Sequence, residues 1–372
     1  MVPKYKDNQH KILEAPMTNE DLVQLDNKLD QADSPELLEL RRNAALYITA
    51  LSDELDADDF KMTKIGKKGM WSFQLGSNFT VGQLGDEIEE LPRSDDLVFE
   101  AENLDPHIPS WSGIAYHPKI SGPREVRSMR RVRGSRVTPH YIFGPDDRQV
   151  YYPSAYPWRC VGRVFAWTDP SSPGPSWSGA GALVGRNVVV TASHVVPWGS
   201  SPWMMQFIPA YYDGASLLGS GVYSYVQSVR GYKNHGQGDD MAVLKLYTPL
   251  GNTLGWFGTK TYHDSWEDGN YWTKCGYPGA VAFGQRPSRI TWFPIIDDDN
   301  DGAGVELEYR ADSSGGDSGG PVFGWWSGLP YIIGAHSGGE QEYHFPFSIV
   351  KNNVAAGGSA LPNLVIWAHN NW

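Results

Sequence analysis

Cysteine is almost absent: Cys160 and Cys275 are the two in 372 residues. A disulfide-stapled scaffold is thereby excluded, and the pair are either free thiols or one bridge. No run of about twenty apolar residues occurs, so no helix is expected to span a membrane. Basic charge is scarce as well, with 31 Lys and Arg against 43 Asp and Glu and a formal net charge of −12. A general nucleic-acid binder would carry the opposite sign. The opening residues, Met1-Val2-Pro3-Lys4-Tyr5-Lys6-Asp7, lack the apolar run of a secretory signal. Apolar and aromatic residues are plentiful, 40% and 13% of the chain. That is ample for packed cores, and the length favours two or three domains over one.

The N-terminal third reads as an extension. Residues 18 to 60 are acidic and helix-friendly: Thr18-Asn19-Glu20-Asp21 supplies a cap, and Leu22, Leu25 and Leu29 fall at helical spacing. Ser34-Pro35-Glu36 opens a second helix, with Leu37, Leu38, Leu40, Ala44, Leu46 and Ile48 as its apolar content. A small folded extension is expected here rather than a partner-binding helix. Pro, Gly and Ser become dense from Asn103 to Pro123, the composition of a linker. Arg124, Arg127, Arg130, Arg131, Arg133 and Arg136 then crowd one short segment. Exposed segments of this kind are favoured cleavage sites. Residues 1–136 are therefore expected to be a pro-region or regulatory extension, released by a cut near Arg136 or just before Tyr141. Nucleic-acid binding through the arginines would need a basic surface with aromatic platforms, at odds with the acidic chain.

Chemistry enters at Gly315-Gly316-Asp317-Ser318-Gly319-Gly320-Pro321-Val322-Phe323. Four glycines in six positions indicate unusual backbone angles or close approach by another molecule. If Ser318 is a nucleophile, the amides of Gly316 and Ser318 can hold the oxyanion that forms when Oγ attacks a carbonyl. A serine hydroxyl needs a base, and the base needs an orienting group. Upstream, two apolar strand runs end on Thr191-Ala192-Ser193-His194, and Asp240 stands immediately before the apolar run Met241-Ala242-Val243-Leu244-Lys245-Leu246. The order is His, Asp, Ser.

These three blocks resemble those of the chymotrypsin-like serine peptidases, and the likeness covers about residues 141 to 372. It is nearer still to the glutamyl endopeptidase branch. Tyr141-Ile142-Phe143-Gly144-Pro145-Asp146-Asp147-Arg148 looks like that branch's mature N-terminus, Pro249 to Gly258 like its interbarrel segment, and Gly276-Tyr277-Pro278-Gly279 like its following strand. One departure is Asp317, where that branch usually carries an amide and trypsin-type enzymes an acid. In trypsin-type relatives this acid pairs with a newly freed amino group, so Asp317 hints at activation by processing.

The resemblance implies a mostly β fold: two antiparallel six-stranded β-barrels of chymotrypsin type, residues 137–372, with the N-terminal extension before them. Short strands divided by turn clusters such as Asp169-Pro170-Ser171-Ser172-Pro173-Gly174-Pro175 agree with it. It also implies that Cys160 and Cys275 lie on strands that could approach, and that the enzyme is exported, although no signal is visible. His194, Asp240 and Ser318 are the expected catalytic residues. Asp239 is the competing acid, set aside because the register of Asp240 matches the family. His235 is expected at the surface.

The primary pocket is placed by resemblance at Asp312-Ser313-Ser314 and His336-Ser337-Gly338-Gly339. An imidazole and a serine hydroxyl suit a carboxylate, so His336 and Ser313 point to cleavage after Glu or Asp. The alternatives are a basic preference set by Asp312, and a catalytically silent peptidase-like binding module. Asp297-Asp298-Asp299-Asn300-Asp301-Gly302 with Glu308 fits the EF-hand pattern in form, but its flanks read as strands. It is assigned as an acidic hairpin turn, with Ca²⁺ at Asp297, Asp299 and Asp301 as the alternative. No cofactor is required for the chemistry. The expected partner is a protein or peptide substrate, with no nucleic acid or membrane, acted on by a monomer.

Overall fold

The computed structural model describes residues 14–30, 34–41, 62–65, 70–75, 78–91, 103–121, 140–232, 236–344 and 348–372. The Arg124–Arg136 run, His235 and the second helical stretch beyond residue 41 lie outside these residues.

The first barrel is built from β1 (Val161–Trp167), β2 (Trp177–Leu183), β3 (Val188–Thr191), β4 (Met204–Pro209), β5 (Ser224–Tyr232) and β6 (Ala242–Leu246). Valine and alanine fill its interior, with Val164, Ala182, Val189, Phe207, Val226 and Leu244 all buried, as β-branched residues on a pleated surface should be. The order is β4-β1-β2-β3-β6-β5, and β4 pairs with β5 to close the ring. This closure positions the site. β3 and β6 are antiparallel neighbours with Thr191 opposite Ala242, so the residues just after β3 and just before β6 emerge at the same rim.

The second sheet comprises β7 (Trp272–Gly276), β8 (Ser288–Phe293), β9 (Asp297–Asp301), β10 (Gly304–Tyr309), β11 (Pro321–Trp326), β12 (Leu329–His344) and β13 (Ser348–Gly357). Its order is β9-β10-β13-β12-β11-β7-β8, with Gln149–Val150 added beyond β8. The expected second closed barrel is instead an open sheet among the described residues. Both edges of β10 are taken, by β9 and β13, while β8 pairs with β7 on one edge and, at Ser288 and Arg289, with Gln149–Val150 on the other. β10 therefore has no free edge with which to meet β8. Trp266, Trp272, Trp326, Phe293 and Tyr309 fill this half. Cys160 and Cys275 are both buried free thiols.

The described parts of the extension are woven into this body. Thr18 and Asp21 form a reciprocal capping box on the short helix Asn19–Leu22, and Ser34 Oγ accepts from Leu37 N at the head of the helix over residues 35–41. Met17 N donates to Trp325 O at 2.7 Å. Glu87–Leu91 adds a parallel strand to β5.

The segment expected to be a linker is a packed seam. Trp111, Ile114, Ala115 and Tyr116 are buried, and Trp158 Nε1 donates to Ala115 O at 2.6 Å. Its small residues are there for fit: a Cβ on Gly113 would lie 2.0 Å from Lys28 O. The fully buried Arg159 depends on the same seam. Its guanidinium donates to Asp30 Oδ2 (2.8 Å), Ser112 Oγ (2.5 Å) and Leu254 O (3.0 Å) and lies over the Trp111 ring. The carboxylate neutralising this buried cation comes from the extension.

Candidate active site

His194 sits in a 3₁₀ turn, Ser193–Val195, directly after β3, and Asp240 stands two residues before β6. Their strands bring them together: His194 Nδ1 is 2.6 Å from Asp240 Oδ2, and His194 N donates to Asp240 Oδ1 at 2.9 Å. Ser337 Oγ donates to Asp240 Oδ2 at 2.6 Å. The hydroxyl assigned from sequence to the substrate pocket is thus committed to the acid. Burial works against charge on the His194 ring, but the Asp240 carboxylate outweighs it and raises His194 above the usual imidazole range. Asp240 is lowered: its own burial opposes ionisation, while His194 and three hydrogen bonds favour it. Asp239, the competing acid, faces elsewhere and accepts from Gly236 N at 3.1 Å.

Ser318 reaches the rim from the second sheet. Its carbonyl accepts from Ala180 N on β2 at 2.7 Å, and Gly319 N donates to His336 O at 2.7 Å. Gly319 has φ +81°, and a Cβ there would meet Thr191 Oγ1 at 2.2 Å. Glycine is thus required for the serine loop to lie against the strand that leads into His194. Gly316, at φ +104°, likewise presses on Tyr277 O. Among the described residues the amides of Gly316 and Ser318 have no protein acceptor, while Asp317 N between them donates to Ser314 O at 3.1 Å. No direct hydrogen bond joins Ser318 Oγ to His194 among the described residues. Such contacts are often long in free enzymes and tighten on substrate.

Asp317 has two cations of its own. Lys274 Nζ is 3.2 Å and Arg148 Nη1 3.4 Å from Asp317 Oδ2, with every partner buried. Lys274 and Arg148 supply the charge that a buried carboxylate requires, both at Oδ2, while Asp317 Oδ1 has no hydrogen-bond partner among the described residues. Lys274 lies inside β7, a strand pattern that gives no sign of a buried ion pair.

Ser313 and His336 come together as expected. Ser313 Oγ is 2.5 Å from His336 Nε2, and Tyr309 Oη is 2.5 Å from His336 Nδ1. Burial, then Lys274 and the neighbouring imidazoles, hold His336 well below the usual range. Asp312 does not face this pair: its oxygens accept from Phe143 N (2.7 Å) and Asp147 N (3.0 Å). Gly338 lies in β12 opposite Val354, just past a register shift at His336. Sequence reasoning missed Tyr309, Lys274, Arg148 and His140, all of which reach this cluster across large sequence separations.

Asp297, Asp299 and Asp301 are alternate residues of β9, and Asp301 Oδ2 accepts from Gln237 N at 2.6 Å. The acidic stretch is thus a strand rather than a turn, and it braces the loop leading to Asp240. Among the described residues the carboxylates gathered within 4.8 Å of one another are those of Glu306, Glu308 and Glu340.

The sequence model of the family described as Trypsin matches residues 158–349. The chain is 28% identical over 253 residues to a glutamyl endopeptidase of Bacillus licheniformis, covering 62% of this chain and 73% of that protein. It is also 28% identical over 227 residues to an extracellular metalloprotease of Bacillus subtilis, covering 59% and 70%. A solved Glu endopeptidase in complex with MPD aligns with TM-score 0.47 and 18% identity over 62% of this chain and 100% of that one. The protease Anisep from Arthrobacter nicotinovorans aligns with TM-score 0.41 and 19% identity over 57% and 93%.

Proposed function

The chain belongs to the trypsin family and is a serine endopeptidase, and from that premise we propose that Ser318, His194 and Asp240 carry out acyl transfer with a preference for Glu or Asp before the cut. Ser318 Oγ attacks the scissile carbonyl while His194 Nε2 takes its proton. Asp240 holds Nδ1–H and stabilises the imidazolium, and the amides of Gly316 and Ser318 receive the oxyanion. His194 then gives the proton to the leaving amine, and water releases the acyl group by the same steps. The observation that carries this mechanism is the 2.6 Å contact between His194 Nδ1 and Asp240 Oδ2, which fixes the tautomer needed to leave Nε2 as the base.

The acidic preference is supported by the cluster beside Ser318. With Tyr309 Oη donating to His336 Nδ1, the proton of the ring sits on Nε2, which meets Ser313 Oγ at 2.5 Å, and Lys274 is the nearest cation acting on this pair. A basic preference would need Asp312 as the receiving acid, and both its oxygens are already bound by amides. Sites built to hydrogen-bond a polar group discriminate strongly against analogues that lack it. A peptide panel differing only at the residue before the cut tests the reading: fastest cleavage after Arg or Lys would refute it.

The enzyme is proposed to act outside the cell, as its extracellular Bacillus subtilis relative is named, as a monomer on protein or peptide substrates. The described residues include no helix long and apolar enough to cross a membrane. The chemistry asks for no cofactor. We assign the acidic hairpin a bracing role, and calorimetric titration with Ca²⁺ tests that against ion binding.

A further inference from the structure

A second imidazole stands at the Ser313–His336 pair, and it comes from outside both sheets. His140 Nδ1 is 3.2 Å from Ser313 Oγ and 3.3 Å from His336 Nε2, the two rings being 5.4 Å apart at 41°. The backbone that carries it is tightly held. Tyr141 N donates to Asn353 Oδ1 at 3.0 Å, and Tyr141 O accepts from Ser313 N and Asn353 Nδ2, both at 2.9 Å. Asn353 is itself fully buried. Phe143 N and Asp147 N then donate to Asp312. The chain from 140 to 147 is therefore fastened along the pocket wall, with Ser313 bonded to it through both its amide and its hydroxyl.

We propose that His140 is a specificity-determining residue: with His336 and Ser313, whose hydroxyl also reaches Asp317 Oδ2 at 3.3 Å, it forms a three-group receptor for the side-chain carboxylate of the residue before the cut, and the active chain therefore keeps residue 140. This rests on the acidic preference proposed above and deepens it. The charged groups facing His140 are Asp317, Lys274, His194 and Arg148. Burial lowers His140 to about 4, with Lys274, His194 and Arg148 adding to it and Asp317 opposing. The pair of imidazoles is accordingly neutral when empty. A bound carboxylate supplies the missing negative charge and draws one solvent proton onto the pair, with no covalent bond made or broken. Cleavage just before Tyr141 would remove this ring, whereas cleavage near Arg136 retains it.

The experiment uses the full chain and a matched pair of peptides carrying Glu or Gln before the cut. His140→Ala should lower the Glu-over-Gln ratio of kcat/KM by about tenfold to a hundredfold, the range for a lost hydrogen bond to a charged group. The Gln peptide, which brings no charge to the site, should lose less than the Glu peptide. His140→Gln, which keeps a donor but takes up no proton, should retain part of the ratio and lose the proton uptake seen calorimetrically when a product peptide ending in Glu binds. An unchanged ratio in both variants overturns the proposal. So does equal acceleration of both peptides, which would make His140 a plug, and so does a fully active species whose sequence begins at Tyr141. A wild-type enzyme with no preference for Glu over Gln defeats the parent reading first. Unchanged thermal melting of the variants separates these outcomes from misfolding.

Discussion

Two histidines, His194 and His336, are each held by hydrogen bonds, and their settings push them in opposite directions. His194 faces the carboxylate of Asp240 and is raised. His336 is lowered by its burial first, with Lys274 and other imidazoles adding to it. The first is suited to carry a proton during the reaction. The second is suited to stay uncharged until an anion arrives. Burial lowers both rings, and at His194 the facing Asp240 carboxylate reverses the direction.

The comparison breaks most completely at the proposed nucleophile. Ser318→Ala should cost on the order of 10⁶-fold in kcat if the three residues act as one unit, while an unchanged near-ultraviolet circular dichroism spectrum shows that the fold persists. Asp240→Asn removes the charge that sets His194 apart from His336. It should cost on the order of 10⁴-fold in kcat through the wrong tautomer; a loss below tenfold would mean that Asp240 is not the orienting acid.

A pH series sharpens the same contrast. His194 must be neutral to act as base, so kcat/KM should climb with rising pH through a midpoint above 6.5, falling about tenfold per pH unit on the acid side. In Asp240→Asn burial acts without its counterweight, and the midpoint should move below 6.5. The smallest change is Ser337→Ala, which deletes one hydrogen bond to Asp240. A few-fold to tenfold drop in kcat with an unchanged Glu-over-Gln ratio is expected. A changed ratio with intact kcat would return Ser337 to the substrate pocket.

Much of this was legible in order alone. His194 follows an apolar run and Asp240 precedes one, and antiparallel pairing of those runs is enough to bring the two residues to one rim. Ser313 and His336 were found because a hydroxyl and an imidazole make chemical sense together. Lys274 was hidden because it occupies one position in a short strand, and its partner Asp317 lies 43 residues away. His140 was hidden for the same reason at a separation of 173 residues from Ser313. The 103–121 segment was misread because Gly, Pro and Ser serve equally for loose chain and for close packing; Gly113 against Lys28 is the latter. Closure of the second barrel could not be judged from strand patterns, which do not say that β9 will occupy the edge of β10.

The Asp30–Arg159 pair bears on what severing the chain could do. An incision between residues 121 and 140 would produce two polypeptides, yet the shorter piece would hold the counter-ion of a guanidinium sealed inside the longer one, along with the strand lying beside β5. Such fragments should co-elute from a sizing column under native conditions and separate after denaturation, two amino termini travelling as a single particle.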